Sequence, residues 1–539
     1  MTIRKKCLQC PVEKEKIGAM TIRSLRQDVA QMVMPRIEGD KLDDPRQLLP
    51  LQGLIKDGIG GFILFGGSVA RTPGRLQELQ SFAEIPLLIT SDVERGLGQQ
   101  LAGGTRFPSQ RAVASAINRG SKRDVGLLGR MLDAVRVETR AAGIHAVFSP
   151  VVDVNSNPDN PIICTRAFGD EPDVVEWFGS QYINRLQKSR NARGRLDLLA
   201  CAKHFPGHGD TDQDSHSVLP VIRADRARLN RVELPPFREA VKDGVEMVMV
   251  AHLFVPALDP EKPVTFSKKA VTALLREGME FGGLIVSDAL DMGALAGAYT
   301  QEEIAVRAVE AGMDILLHPI DARVTIDAVA AAVEQGRLTR QRIRESVGRI
   351  MAAKKRLGLM SKARQTAVRI DYEQHGRIAR EIAGKAVRLV HGSKKLLPLS
   401  RHAGVACIIL DDDNNTESGN AFIHEMRSRF RNVSVQVLTP ATEMPESLVL
   451  DSIRAAEVVV LAFYSKIAAS KGRSGISGKL HELAMKFLSA TQKAQGISVL
   501  ISFDSPYLLD QFQDADLRIA AYDRMGEIQQ AAVEMLAGD

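Results

Sequence analysis

The chain has 539 residues, 45% apolar and 25% charged, with 71 Lys and Arg against 65 Asp and Glu. At about 100–200 residues per domain, that length predicts one large unit and a second, smaller one. A net charge of +6 spread this thinly, with no basic run interleaved with aromatics, excludes an obvious nucleic-acid footprint, and no run of about 18 apolar residues offers a membrane span.

The first twenty residues lack the apolar centre of a secretion signal, so a cytoplasmic protein is expected. Five cysteines, Cys7, Cys10, Cys164, Cys201 and Cys407, are too few and too scattered for a disulfide framework and fit a reducing compartment. Cys7 and Cys10 form one C-x-x-C without the second pair that a zinc site needs, so residues 1–23 are read as an N-terminal extension.

From about residue 24 to 358 short apolar runs alternate with amphipathic stretches, the rhythm of a parallel sheet. The expected strands are Gly61–Phe65, Leu87–Thr90, Ala146–Pro150, Leu198–Ala202, Glu246–Ala251, Gly283–Ser287 and Asp314–His318. Gln31–Ile37 is either an eighth strand or the end of the first helix. Helices are expected at Leu127–Ala142 and at Glu302–Ala311, with Gly312 ending the second. Seven or eight such repeats favour a closed (β/α)8 barrel of the TIM type over an open doubly wound sheet.

The barrel is expected over 24–360, a connector over 361–385, and a smaller α/β sandwich over 386–539. The smaller unit has strands near Val405–Leu410, Val433–Val437, Val458–Phe463, Ser498–Ser502 and Leu517–Tyr522. No G-x-G-x-x-G follows its first strand, so it lacks the dinucleotide fingerprint. Its polar residues do not cluster at strand ends, so it is expected to stabilise the barrel or supply a rim contact, not a proton-transfer group.

In the larger unit, by contrast, polar residues fall directly after strands: Ser91-Asp92, Asp153, Lys203-His204, His252 and Asp288. The C-terminal strand ends of a barrel form its active face. The densest segment runs from Lys203 through His204-Phe-Pro-Gly-His-Gly-Asp-Thr-Asp-Gln-Asp214-Ser-His216, where glycines let a loop fold closely over a ligand. In Asp214-Ser-His216 a carboxylate stands two residues from an imidazole that it can orient and stabilise when protonated. Metal binding is the alternative, although the spacing matches none of the common zinc signatures. Asp288 ends an apolar strand and is either a nucleophile facing the cavity or a helix N-cap. Asp291 suits a supporting role. Asp92 can hold sugar hydroxyls and Glu94 can do the same or pair with Arg95; the alternative for both is a solvated surface pair.

These segments, SDVERG, PVVDVNSNPDNPIICTRAFGDEP, KHFPGHGDTDQDSH and GLIVSDALDM, together resemble glycoside hydrolase family 3. The resemblance is strong over roughly residues 24–360 and weaker beyond, where LLPL and SPYLLDQF look like that family's C-terminal sandwich. It points to the β-N-acetylglucosaminidase branch, in which an Asp-x-His pair serves as acid/base. It implies Asp288 as nucleophile, His216 as general acid/base assisted by Asp214, and Asp92, Arg166, Lys203 and His204 as sugar-binding residues. One departure stands out: Gln100 occupies the position where the branch motif has an arginine. The resemblance implies a retaining hydrolase that releases terminal β-linked N-acetylglucosamine from cell-wall muropeptide fragments, without cofactor or metal, its partner being a small carbohydrate. A relative acting on another β-sugar, one transferring the sugar to phosphate, and a sugar-binding protein without activity are the other readings.

Overall fold

The computed structural model describes residues 23–187, 195–215, 218–361, 369–442, 446–467, 471–472 and 474–539. Cys7 and Cys10 lie outside them; Cys164, Cys201 and Cys407 are buried free thiols. No helix among the described residues is long and apolar enough to cross a membrane.

The larger unit is α/β with a curled parallel sheet. Its strands are β1 (Val33–Met34), β2 (Arg36–Glu38), β3 (Gly61–Phe65), β4 (Leu88–Ser91), β5 (Ala146–Val147), β6 (Leu199–Phe205), β7 (Met247–Val250), β8 (Leu284–Ser287) and β9 (Leu316–Leu317). β2 to β8 follow one another in sequence order, all parallel, and β1 pairs in parallel with β9. Ile315, just before β9, forms a parallel bridge with Val286 of β8, so the sheet curls back toward its first strand.

Both readings of Gln31–Ile37 are partly right. A helix, Leu25–Ala30, ends there and two short strands follow it. Pro35 separates those strands because it has no N–H to give to a ladder, although its carbonyl still accepts from Ile63 N–H at 3.0 Å. The same chemistry shortens β5: pairing stops before Pro150 and resumes only as a bridge between Val151 and Lys203.

The helix expected at Leu127–Ala142 begins a turn earlier, at Lys122, because the Ser121 hydroxyl caps the Asp124 N–H at 3.3 Å. Its Leu127, Leu128, Met131, Leu132 and Val135 face the core. Helix Gln301–Ala311 stops at Gly312, whose φ of +125° suits glycine.

A second sheet is built from β10 (Arg388–His391), β11 (Gly404–Asp411), β12 (Asn432–Leu438), β13 (Val458–Tyr464), β14 (Ile497–Ser502) and β15 (Leu517–Ala520), in the order β10-β15-β14-β13-β11-β12. All its pairings are parallel except that of β10 with β15. Most of the segment read as a connector, 361–385, is taken up by helix Tyr372–Ala386, capped by Asp371 and burying Ile378, Ala379, Ile382, Ala383 and Ala386. It packs between helices Gln110–Ala116 and Gly526–Ala537 and so joins the two sheets' layers.

Candidate active site

The parallel strands of the larger unit end around one cavity of about 710 Å³. Asp92 follows β4, Lys203 and His204 lie near the C-terminal end of β6, and Asp288 follows β8. All four line the cavity, together with Arg166 from the short helical turn Cys164–Arg166. Backbone pairing sets these positions: the Asp288 N–H still donates to Val250 O of β7 at 3.0 Å, so its side chain projects from a fixed peptide. That carboxylate also accepts from the Ala289 N–H at 2.8 Å.

At the floor of the site four charges neutralise one another. Lys203, only 2% exposed, donates from Nζ to Asp92 Oδ1 and approaches Glu94 Oε1, both at 2.7 Å. Arg166 grips Glu94 with two parallel bonds, Nε to Oε2 at 3.1 Å and a terminal nitrogen to Oε1 at 2.8 Å. Burial works against each ion, raising Glu94 and lowering Lys203 and Arg166. The partners win: Glu94 is held well below the usual carboxylate range, and Lys203 and Arg166 are pushed above theirs. Glu94 thus pairs with Arg166 and Lys203, whereas the sequence pointed to Arg95 or a sugar. Arg95 instead reaches Asp523.

Asp153, fully buried after β5, organises the loop that follows β6. It accepts from the His204 backbone N–H at 3.1 Å, the His204 Nδ1–H at 2.7 Å and the His208 N–H at 2.7 Å. His204 Nε2 then faces an Arg166 N–H at 3.4 Å. Asn160 holds the same loop from the other side, donating to His208 O at 2.8 Å while its own carbonyl accepts from the Ile162 and Ile163 N–H groups. Further along, His208 meets Ser215 Oγ at 3.0 Å, Ser215 lines the cavity and Asp214 is buried. Burial lowers the His208 imidazole to about 4 despite the neighbouring Asp153, so it is neutral at pH 7. His216 lies outside the described residues.

For Asp288, burial favours the protonated acid. The nearby His204 and His252 imidazoles, the Ala289 N–H and Lys203 outweigh it and lower the carboxyl below its ordinary value. An ionised carboxylate on the cavity wall is what nucleophilic attack requires. Asp291 pairs with His318 Nδ1 at 3.1 Å. Among the described residues no group of three or more His, Cys, Asp or Glu is placed to hold a metal ion.

Gln100 lines the cavity, yet both ends of its amide are occupied by backbone: Nε2–H donates to Asp92 O at 2.9 Å and Oε1 accepts from the Gly66 N–H at 3.4 Å. It therefore positions Asp92. The sequence reading allowed the C-terminal part of the chain a rim contact but no polar cluster at its strand ends, whereas Lys466, Ile467, Asp504 and Arg524 line the cavity. Those residues follow β13, β14 and β15, so strand-end position was the available signal.

An α/β chain whose parallel strands end in ionised side chains around one deep cavity has the build of an enzyme. Residues 24–353 match the model of the glycosyl hydrolase family 3 N-terminal domain, and the chain belongs to that family. It is 30% identical over 498 residues to beta-hexosaminidase A of Pseudoalteromonas piscicida, covering 84% of this chain and 81% of that one. A beta-hexosaminidase of Chromobacterium violaceum is 33% identical over 279 residues, 50% of this chain and 76% of its own. Among solved structures, a family 3 beta-N-acetylglucosaminidase from Paenibacillus sp. str. FPU-7 superposes with a TM-score of 0.81 at 29% identity, covering 96% and 97% of the two chains.

Proposed function

We propose that the protein is a retaining glycosidase that releases terminal β-linked N-acetylglucosamine. The observation that carries this reading is Asp288: a carboxylate at a strand end, favoured in its ionised form, in the same cavity as the Asp92–Lys203–Glu94–Arg166 cluster. An Asp288 oxygen attacks the anomeric carbon, the bond to the aglycone oxygen breaks, and that oxygen leaves with the electron pair and a proton from His216. Asp214 supports the imidazole. Water, deprotonated by His216, then attacks the same carbon and frees Asp288, so that two inversions retain the configuration. Asp92, Arg166, Lys203 and His204 bind the sugar. The names and coverage of the relatives support the 2-acetamido preference.

The architecture of this reading is a closed (β/α)8 barrel over 24–360, with β1 and β2 as one interrupted strand, followed by a connector and a sandwich unit over 386–539. Its natural substrate is a muropeptide fragment in the cytoplasm. The test compares aryl β-glycosides with and without the 2-acetamido group and follows the anomer first released by proton NMR. Selective cleavage of the acetamido sugar with the β-anomer formed first is expected. Release of the α-anomer would rule out the double displacement, and preference for the glucoside would rule out the sugar.

A further inference from the structure

The cavity carries two separate groups of charge. The charges that act most strongly on Asp288 are His204, His252 and Lys203; those around Arg106 are Arg95, Asp523, Arg524 and Glu527. Arg106 and Arg95 come from the loop after β4, Lys466 from the segment after β13 and Arg524 from the segment after β15, and all four line the cavity wall. Two of these cations have counter-ions within the protein. Arg95 pairs with the buried Asp523, and Arg524 with Asp504 at 2.6 Å and Asp413 at 3.1 Å. Asp523 and, more weakly, Glu527 also lie near enough to oppose part of the charge at Arg106. The Arg106 guanidinium and the Lys466 ammonium make no hydrogen bond or ion pair among the described residues; the backbone N–H of Lys466 bonds to Asp413.

An arginine set beside two other guanidiniums without its own acceptor is electrostatically unfavourable. Partial desolvation and the adjacent Arg95 and Arg524 lower its proton affinity, although an arginine stays charged at any physiological pH. Such an arrangement gains when a ligand brings negative charge, because a guanidinium fork binds a carboxylate with two charge-assisted bonds. Asp92, Arg166, Lys203 and Asp288 line the same cavity as Arg106 and Lys466; on the glycosidase reading the first set holds the sugar, which leaves the second to meet the group displaced from it.

We infer that Arg106 and Lys466 form a subsite for a carboxylate on the leaving half of the substrate, assembled only where the second unit meets the larger one. This rests on the glycosidase reading and names a class of aglycone for it.

The test uses the full chain and a matched pair of substrates: 4-(carboxymethyl)phenyl β-N-acetylglucosaminide and its neutral carboxamide. Wild-type kcat/KM at low salt is expected to favour the carboxylate by about tenfold, mainly through KM, and the ratio should shrink in 0.5 M salt. Arg106→Gln and Lys466→Gln should each bring the ratio toward one, with Arg106→Lys keeping part of it. A wild-type ratio near one, or a ratio unchanged in both variants, overturns the inference. So does a ratio near one with glycosyl phosphate formed in added inorganic phosphate, which would make the cations a site for a free anion. If neither glycoside is cleaved, the glycosidase reading fails separately. The subsite is then judged by saturation-transfer NMR with 4-hydroxyphenylacetate, whose binding must exceed that of its amide and must weaken in Arg106→Gln.

Discussion

Asp288 is the residue on which the chemistry turns, because its burial and its ionisation oppose each other. Asp288→Asn keeps the shape and an acceptor for the Ala289 N–H but removes the charge. Turnover of an aryl β-N-acetylglucosaminide should fall by about 10⁴-fold or more, with the folded state retained by circular dichroism. Near-normal hydrolysis by the pure variant would remove Asp288 from the mechanism. For His216, replacement by Ala should cost about 10²–10⁴-fold on poor leaving groups and far less in the glycosylation step of a nitrophenyl substrate, which needs little protonation. Equal losses for both leaving groups would assign His216 another task. Asp92, Lys203, His204 and Asp288 could be placed at one cavity from the sequence because parallel strands in sequence order bring their C-terminal ends to the same face. Glu94 and Gln100 were not legible in this way: their partners come from 72 residues away in Arg166 and from the backbone of Gly66, and nothing local in the sequence points to either.

At the scale of elements, buried ions hold strands and helices to one another, and each is vulnerable in a different way. Glu94 joins the segment after β4 to β6 and to the Arg166 turn. Glu94→Ala leaves Arg166 and the buried Lys203 short of a counter-charge, and about 3–5 kcal/mol of stability should be lost, with KM raised because Lys203 and Asp92 lose their setting. Chemical denaturation of parent and variant tests this, and coincident curves would contradict it. Lys354 in helix Arg340–Arg356 presents the opposite case. It is fully buried, among the described residues donates only to Gln31 Oε1 at 2.8 Å, and burial lowers it to about 7, with Arg23 adding to the effect. In the unfolded chain it titrates near the ordinary lysine value. Between pH 7 and about 10.4 the unfolded state therefore holds the proton that the folded state has lost, and stability from this group rises with pH. Lys354→Met should raise stability by about 1–4 kcal/mol near pH 7, with the gain in Tm narrowing as pH approaches 10. A gain independent of pH would mean that Lys354 is not titrating in the folded protein. The strands that the sequence predicted well, such as Gly61–Phe65, are apolar runs bounded by glycine. β10 escaped notice because Arg388 and His391 are exposed on an edge strand, where no hydrophobic pattern is required.

Across the whole molecule, the second sheet supplies one wall of the cavity through the segments after β13, β14 and β15. Its sequence predicted a stabilising or rim role, and the polar side chains after β13, β14 and β15 reach the cavity because helix Tyr372–Ala386 holds the second sheet against helix Gln110–Ala116. Asp523 is a buried polar tie across this boundary. It is fully buried after β15, pairs with Arg95 and accepts from the Ser109 N–H at 2.7 Å, while Ser109 Oγ donates to Tyr522 O at 2.9 Å. Arg95 and Ser109 both line the cavity, so the tie fixes the loop after β4 that also carries Arg106. Asp523→Ala removes the acceptor of three donors at once, Arg95, the Ser109 N–H and the Met525 N–H. Ser109 N–H is left buried without a partner, and Arg95, with its side chain 24% exposed, can recover only part of its loss from water. The expected cost is about 3 kcal/mol, at the lower end of the range for breaking a buried pair because Arg95 is not fully desolvated. Function should follow geometry: KM for an aryl glycoside should rise severalfold as the loop loosens. The kcat with an activated leaving group should change much less, since Asp288 is held by β7 and β8. Thermal unfolding together with a kcat and KM split checks both halves. A loss of kcat equal to the change in kcat/KM, at unchanged KM, would place Asp523 in the chemistry; an unaltered Tm would mean that the two units are held together elsewhere.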